Sequence, residues 1–403
     1  MKGAFVNTAF RRLNVVVSFV CSTAAPLTAQ SGAERAERMA KALVRLGPGG
    51  DTSQRYTIEQ EMQRLRVTGA SIAVVVGGRV VWAHGYGVKE FGKPERVDTT
   101  TLFLAGSISK PVFATGALAL VEQGKLSLDT DINKSLTSWQ LPSSKFTETQ
   151  KVTLRRILSH SAGLTIWGFP GYAIDKPVPT VAQVLDGEAP ANTRAVRNDT
   201  TPGARWLYSG GGITIAQLAA TDATREAFPG LMKRLVLDKV GMVHSTYENP
   251  IPASRARETA AGHERPDSVV AGRWHVYPEM AAAGLWTTAP DLARWGIAIA
   301  RAYRGESGGV LSPAMAREMV RPQTVLPTSG QGAAPAGTWW GLGVQVSGTA
   351  RDFLFTHGGR DEGFVASFAY WPERDVGLVV LTNSTNGMFL NEVRRAFTAE
   401  FIR

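Results

Sequence analysis

The chain has 403 residues, 44% of them hydrophobic, and a formal net charge of +10. That length and apolar content allow a sizeable core divided into two packed regions, which excludes a small disulfide-stapled module or a disordered chain. The basic excess invites a nucleic-acid reading, but no Lys/Arg block is interleaved with aromatics and the arginines are scattered. No nucleic-acid partner is expected, and attraction to anionic envelope polymers or simple solubility accounts for the charge.

The first 29 residues read as a secretory signal: Lys2, Arg11 and Arg12 supply charge, Leu13 to Ala25 a short apolar run, and Leu27-Thr28-Ala29 a small-residue cleavage site. The expected mature domain is 30–403, periplasmic or secreted, with no stable membrane span because no later stretch is apolar for long enough. Cys21, the single cysteine, lies inside the leader and is preceded by Phe19-Val20, which argues against a lipid anchor. No disulfide then stabilises the mature fold.

Helical periodicity covers Arg35 to Leu46 and Thr57 to Arg66, separated by Gly47-Pro48-Gly49-Gly50. Ala70 to Val76 and Arg79 to Tyr86 read as strands joined at Gly77-Gly78, a hairpin signal. From Pro111 to about Gly284 the chain is mostly helical or loop-like, with helices expected over Pro111 to Leu126, Thr153 to Leu158 and Ile213 to Ala227. Another helical run covers Asp291 to Tyr303. Strands return at Trp340 to Val346, Phe353 to Thr356, Phe364 to Trp371 and Val376 to Thr382, and an amphipathic helix over Phe389 to Ile402 closes the chain. Ser329 to Gly337 reads as a mobile loop. Strands at both ends with helices between imply an α/β fold: one antiparallel sheet assembled from about 52–105 and 285–403 and flanked by helices, with a helical insertion over about 106–284.

Ser107-Ile108-Ser109-Lys110 is the only place where lysine follows a serine by three residues. At the start of a helix that spacing puts hydroxyl and ammonium on one face. A serine hydroxyl needs a neighbouring base to attack a carbonyl, and a lysine can be that base if burial or another cation lowers its pKa. The helix N-terminus favours negative charge developing on a carbonyl oxygen. On its own the motif is weak, since a solvated helix start gives the same pattern.

Four further segments build a constellation. Trp206-Leu207-Tyr208-Ser209-Gly210-Gly211-Gly212 puts a tyrosine at a glycine-rich turn, and Thr356-His357-Gly358-Gly359 ends an expected strand. Leu158-Ser159-His160-Ser161-Ala162-Gly163-Leu164 and Ala283-Gly284-Leu285-Trp286-Thr287-Thr288 frame the helical region. In this order the chain, from about Ala70 onward, resembles the class C β-lactamase and penicillin-binding serine hydrolase superfamily, which also holds D-aminopeptidases, D-Ala-D-Ala carboxypeptidases and esterases. The resemblance implies Ser107 as acylated nucleophile, Lys110 as its proton partner and Tyr208 as base or proton shuttle, the last needing a cation such as Lys110 to pull its pKa down. It also implies an oxyanion hole from the backbone N–H groups of Ser107 and Arg360, beside His357, Gly358 and Gly359.

Two departures from the superfamily pattern bear on substrate. Gly210 stands where an asparagine is usual, removing a side-chain amide that orients lysine and substrate. His357 replaces the lysine of the K-T-G strand and is mostly neutral at pH 7 unless its pKa is raised, which weakens a carboxylate clamp; Arg360 restores charge only if its side chain turns inward. The expected activity is hydrolysis of a β-lactam or D-amino-acid peptide amide. Alternatives are a carboxylesterase on the same fold and, in another class, a non-hydrolysing penicillin-binding sensor of cell-wall fragments. Gly305-Glu306-Ser307-Gly308-Gly309 matches the G-x-S-x-G of α/β-hydrolases but follows a helical run, the wrong context. His84, His160, His244, His263, His275 and His357 are dispersed without metal-ligand spacing, so no metal or other cofactor is expected, and His160 reads as satisfying a buried hydrogen bond. Trp167, Trp206 and Trp286 line either the cleft or the core. The partner is a small-molecule or peptide substrate; oligomeric state is left open.

Overall fold

In the computed structural model, residues 1, 3, 4, 27–46 and 53–403 are described. The leader assigned to residues 1–29 falls largely outside them. The elements used below are helices α1 (Leu27–Ala40), α2 (Ile58–Leu65), α3 (Ser109–Glu122), α4 (Leu154–Leu158), α5 (Gly210–Thr224), α6 (Met280–Ala283), α7 (Ala289–Arg304) and α8 (Gly387–Phe401). The main-sheet strands are β1 (Gly69–Val76), β2 (Arg79–Gly87), β3 (Thr324–Val325), β4 (Thr338–Trp340), β5 (Gln345–Ser347), β6 (Leu354–Asp361), β7 (Phe364–Trp371) and β8 (Val376–Thr382).

Strands from the two ends of the chain form one eight-stranded sheet in the order β2-β1-β8-β7-β6-β5-β4-β3, antiparallel throughout. Gly77 and Gly78 both take positive φ, as a two-residue turn that follows the strand twist requires, and Val76 pairs with Arg79 across it. Alternation divides the core. Ala73, Val75, Phe368, Tyr370, Val379 and Leu381 face the helical region, whereas Ile72, Val74, Ala369, Trp371, Leu378 and Val380 face α1, α2 and α8. The central strands are therefore apolar on both faces, and the sheet sits between two helical layers.

The ends of α2 follow from its sequence. Thr57 Oγ1 accepts the Gln60 N–H at 3.2 Å and Gln60 Oε1 accepts the Thr57 N–H at 2.9 Å, a reciprocal cap. Arg64 pairs with Glu392 at 2.7 Å, fixing α8 against α2. The helix expected over Arg35 to Leu46 instead stops at Ala40, because Leu43 turns to exchange backbone hydrogen bonds with Tyr56, 3.0 Å each way. The strand expected over Trp340 to Val346 is broken in two: Gly343 takes φ +90° and donates its N–H to Leu158 O, turning the chain between β4 and β5. Strand β6 runs on to Asp361, well past the expected end at Thr356. Helix α3 begins two residues before Pro111, which the first helical turn tolerates because its N–H would be unpaired there.

Candidate active site

The site forms where the start of α3, the free edge of β6 and the segment before α5 meet. Strand β5 pairs only with Leu354 to Thr356, so His357 to Arg360 have no strand neighbour on that side. The turn Gly106–Ile108, which carries Ser107, fills the space. Contact is so close that a Cβ on Gly359 would lie 1.9 Å from Ala105 O, and one on Gly106 would lie 2.4 Å from Arg360 N. Only glycine lets these two backbones approach. The two-residue turn between Asp361 and Phe364 closes a hydrogen-bonded pair, so antiparallel alternation leaves the Arg360 N–H directed away from β7, toward Ser107.

Lys110 lies one turn into α3 from Ser107, and its Nζ donates to Ser107 Oγ at 2.9 Å and to Ala282 O, on α6, at 2.8 Å. Its side chain is among the largest fully buried ones, with 1% of the residue exposed. Burial lowers its pKa to about 7, against an opposing pull from the Asp361 carboxylate. A neutral amine beside the hydroxyl is thus populated near neutral pH. Ser109 braces the turn: its Oγ donates to Gly106 O at 2.6 Å and accepts the Leu285 N–H at 2.9 Å.

Tyr208 is buried, faces Ser107 across the cleft and has Lys110 Nζ 5.0 Å from its ring centroid. Its pKa is not pulled down as expected. Burial pushes it up, the Asp361 carboxylate adds to the rise, and the Ser107 hydroxyl offsets only part of it. The expected cation fails because Lys110 is itself close to neutral. His160 fixes the tyrosine from both sides: Leu207 N–H donates to His160 O at 2.6 Å, Ser209 N–H donates to His160 Nδ1 at 3.2 Å, and the two rings lie 4.1 Å apart. His160 therefore does satisfy a buried hydrogen bond. Since Nδ1 accepts, the ring is neutral with its proton on Nε2, in line with a pKa that burial holds well below 6.5.

His357 is buried, its Nδ1 lies 2.6 Å from Gly358 O, and burial with the nearby Lys110 lowers its pKa to about 3. It is neutral across the working range and offers no charge to a carboxylate. Arg360 is exposed with its side chain along the cleft, and Arg394 of α8 joins it there with Asn391. Arg360 and Arg394 make no side-chain hydrogen bond or ion pair among the described residues, leaving two uncompensated guanidinium groups in a cleft of about 540 Å³. Gly210 is not part of the cleft lining. Its N–H donates to Trp167 O at 3.0 Å, the Gly211 N–H to Ile166 O at 3.1 Å, and Ser209 Oγ to Thr165 O at 2.7 Å. The glycine run lets the 165–168 loop lie on the start of α5, where a Gly210 Cβ would already be 3.1 Å from Trp167 O and Phe169 Cε2.

Trp167 and Trp206 line the cleft, whereas Trp286 is buried in the core. Ser307 is exposed in the loop after α7, with no strand before it and no helix directly after. That context gives no nucleophile elbow. Asp361 and Arg394 were not among the residues singled out from sequence. An acidic residue beside a turn and an arginine on an amphipathic helix carry no local signal, and only the fold brings them to Ser107.

Residues 55–401 match the Beta-lactamase family model, and the chain belongs to that family. Among curated proteins it is 28% identical over 194 residues to Esterase EstB of Burkholderia gladioli, covering 46% of this chain and 48% of that protein. It is 23% identical over 212 residues to Protein flp of Staphylococcus aureus (strain N315), covering 51% of this chain and 40% of flp. The chain thus spans under half the length of these relatives. Among solved structures it resembles an octameric penicillin-binding protein homologue from Pyrococcus abyssi (TM-score 0.70, 23% identity, 85% of this chain and 75% of that one). It also resembles a class C β-lactamase (TM-score 0.66, 20% identity, 85% of this chain and 93% of that one). These likenesses establish the β-lactamase/transpeptidase-like fold, in a family that includes serine hydrolases.

Proposed function

We infer that the chain is a serine hydrolase that forms a Ser107 acyl-enzyme on amides carrying a carboxylate, such as a β-lactam or a D-amino-acid peptide. The observation that carries the catalytic part is the 2.9 Å contact between Ser107 Oγ and the fully buried Lys110 Nζ. Neutral Lys110 takes the hydroxyl proton as Oγ forms a bond to the substrate carbonyl carbon, and the N–H groups of Ser107 and Arg360 receive the oxyanion. Tyr208, a neutral phenol, donates its proton to the leaving nitrogen as the C–N bond breaks and regains one by way of Lys110. Water then attacks the ester and releases the acid. Arg360 and Arg394 supply the positive charge that His357 lacks, which supports an anionic substrate.

A carboxylesterase is the second reading. It is favoured by the likeness to Esterase EstB. Steady-state kinetics on benzylpenicillin, a D-Ala-D-Ala peptide and p-nitrophenyl acetate separate the two. Arg394→Gln is expected to raise KM for the two carboxylate substrates about tenfold, the value of one charge-assisted hydrogen bond, and to act far less on the neutral ester. Turnover of the ester alone in the unsubstituted protein favours the esterase, and a long-lived penicilloyl adduct favours the sensor. Export belongs to the same proposal, supported by the leader-like residues 1–29; N-terminal sequencing of protein recovered outside the cytoplasm is expected to begin near Gln30.

A further inference from the structure

A second cavity, of about 940 Å³, adjoins the catalytic cleft. Trp167, Trp206 and Leu326 line both, so the boundary between them is a wall of side chains. The indole of Trp206, 9% exposed, forms its centre with Nε1 unpartnered, and the 327–337 loop rests on it: a Cβ on Gly332 would lie 2.3 Å from Trp206 Cζ3. Trp339 and Trp167 present partly open ring surface, 39% and 38% exposed.

The charges in this cavity are one-sided. No aspartate or glutamate lines it, while Arg155, Arg156 and Arg205 do. Arg155 is neutralised by Asp129 and Glu318. Arg156 hydrogen-bonds Lys151 O at 2.7 Å and Gln150 Oε1 and lies in the field of the Asp129 carboxylate, whereas Arg205 makes no side-chain hydrogen bond or ion pair among the described residues. The uncompensated guanidinium of Arg205, next to open indole faces, suits a ligand with a flat ring that ends in an acid.

We propose that this cavity is a distal subsite for the acyl half of the substrate, taking an aromatic ring that bears a carboxylate. The proposal rests on acyl transfer at Ser107, and its test is arranged to fail separately from that reading. Two p-nitrophenyl esters are compared, of 4-phenylbutanoate and of 4-(4-carboxyphenyl)butanoate. The expected result is a kcat/KM about tenfold higher for the carboxylated ester, the value of one charge-assisted hydrogen bond open to solvent. Because the readout is a ratio on one enzyme preparation, loss of folded protein cancels. Arg205→Gln is expected to bring the ratio close to one and Arg205→Glu to invert it. Equal rates in the unsubstituted protein, or a preference retained in Arg205→Glu, overturn the proposal.

If neither ester is hydrolysed, the acyl-enzyme reading fails and the subsite is still tested by titrating free 4-(4-carboxyphenyl)butanoate against tryptophan fluorescence. Saturable quenching in the unsubstituted protein that is lost in Arg205→Glu supports the subsite. Absence of saturable quenching, or equal quenching in both proteins, overturns it.

Discussion

Replacing Lys110 by methionine should stabilise the protein while abolishing its chemistry, and the gain should depend on pH in one direction. In the folded chain burial lowers the lysine pKa from its ordinary value of 10.5 to about 7. A buried amine that binds its proton less tightly than the unfolded chain does costs nothing above pH 10.5. It costs progressively more as pH falls, and the full amount below pH 7. At about 1.4 kcal/mol per pH unit the full cost is roughly 5 kcal/mol. Methionine fills a similar volume without charge but forfeits the hydrogen bonds to Ser107 and Ala282 O, about 1 kcal/mol each. The net gain expected at pH 6 is about 3 kcal/mol, falling to near zero by about pH 9. Asp361, whose carboxyl burial already holds well above its ordinary pKa, loses its cationic neighbour in the variant, so raising pH also penalises the variant there and narrows the gap in the same sense. Urea unfolding of both proteins at pH 6, 7.5 and 9 measures the difference. Parallel stability curves, or a variant less stable at pH 6 than at pH 9 relative to the parent, would refute the argument.

Tyr208→Phe is expected to lower kcat by about 10²- to 10³-fold, in the range for a general acid. The rise of kcat/KM with pH through about 7 should remain, because Lys110 and not the tyrosine sets it. Disappearance of that rise in the variant would make Tyr208 the titrating base. Gly359→Ala places a Cβ 1.9 Å from Ala105 O, so β6 must move away from the nucleophile turn. Acylation should slow at least about 10²-fold as the Arg360 N–H leaves the oxyanion position, and a rate within twofold of the parent by stopped-flow would contradict the placement.

The parts of the site legible in the sequence are those that depend on short-range geometry. Serine and lysine three apart at a helix start meet whatever surrounds them, and Gly77-Gly78 sets a hairpin register by itself. The strands at Phe364 to Trp371 and Val376 to Thr382 carry enough β-branched and aromatic residues to declare themselves. Features set by distant neighbours were not legible. The glycine run after Tyr208 reads as a gap in a substrate contact, yet it makes room for the 165–168 loop that packs on it from some 40 residues upstream. The tyrosine pKa goes the opposite way from expectation because burial decides it, and burial is a property of the assembled cleft. Arg394 enters the site because Phe389, Val393 and Phe397 pack α8 on the sheet while Arg64 and Glu392 tie it to α2, contacts that span most of the chain.

The central claim, acyl transfer at Ser107, is tested most directly by intact-protein mass spectrometry of the chain and its Ser107→Ala variant after brief exposure to benzylpenicillin and, separately, to p-nitrophenyl acetate. A transient adduct of the acyl mass on the parent and none on the variant is the predicted result, with the reagent that clears faster marking amide or ester as the better substrate. Equal labelling of both proteins, or a parent that neither labels nor turns over either reagent, would contradict it.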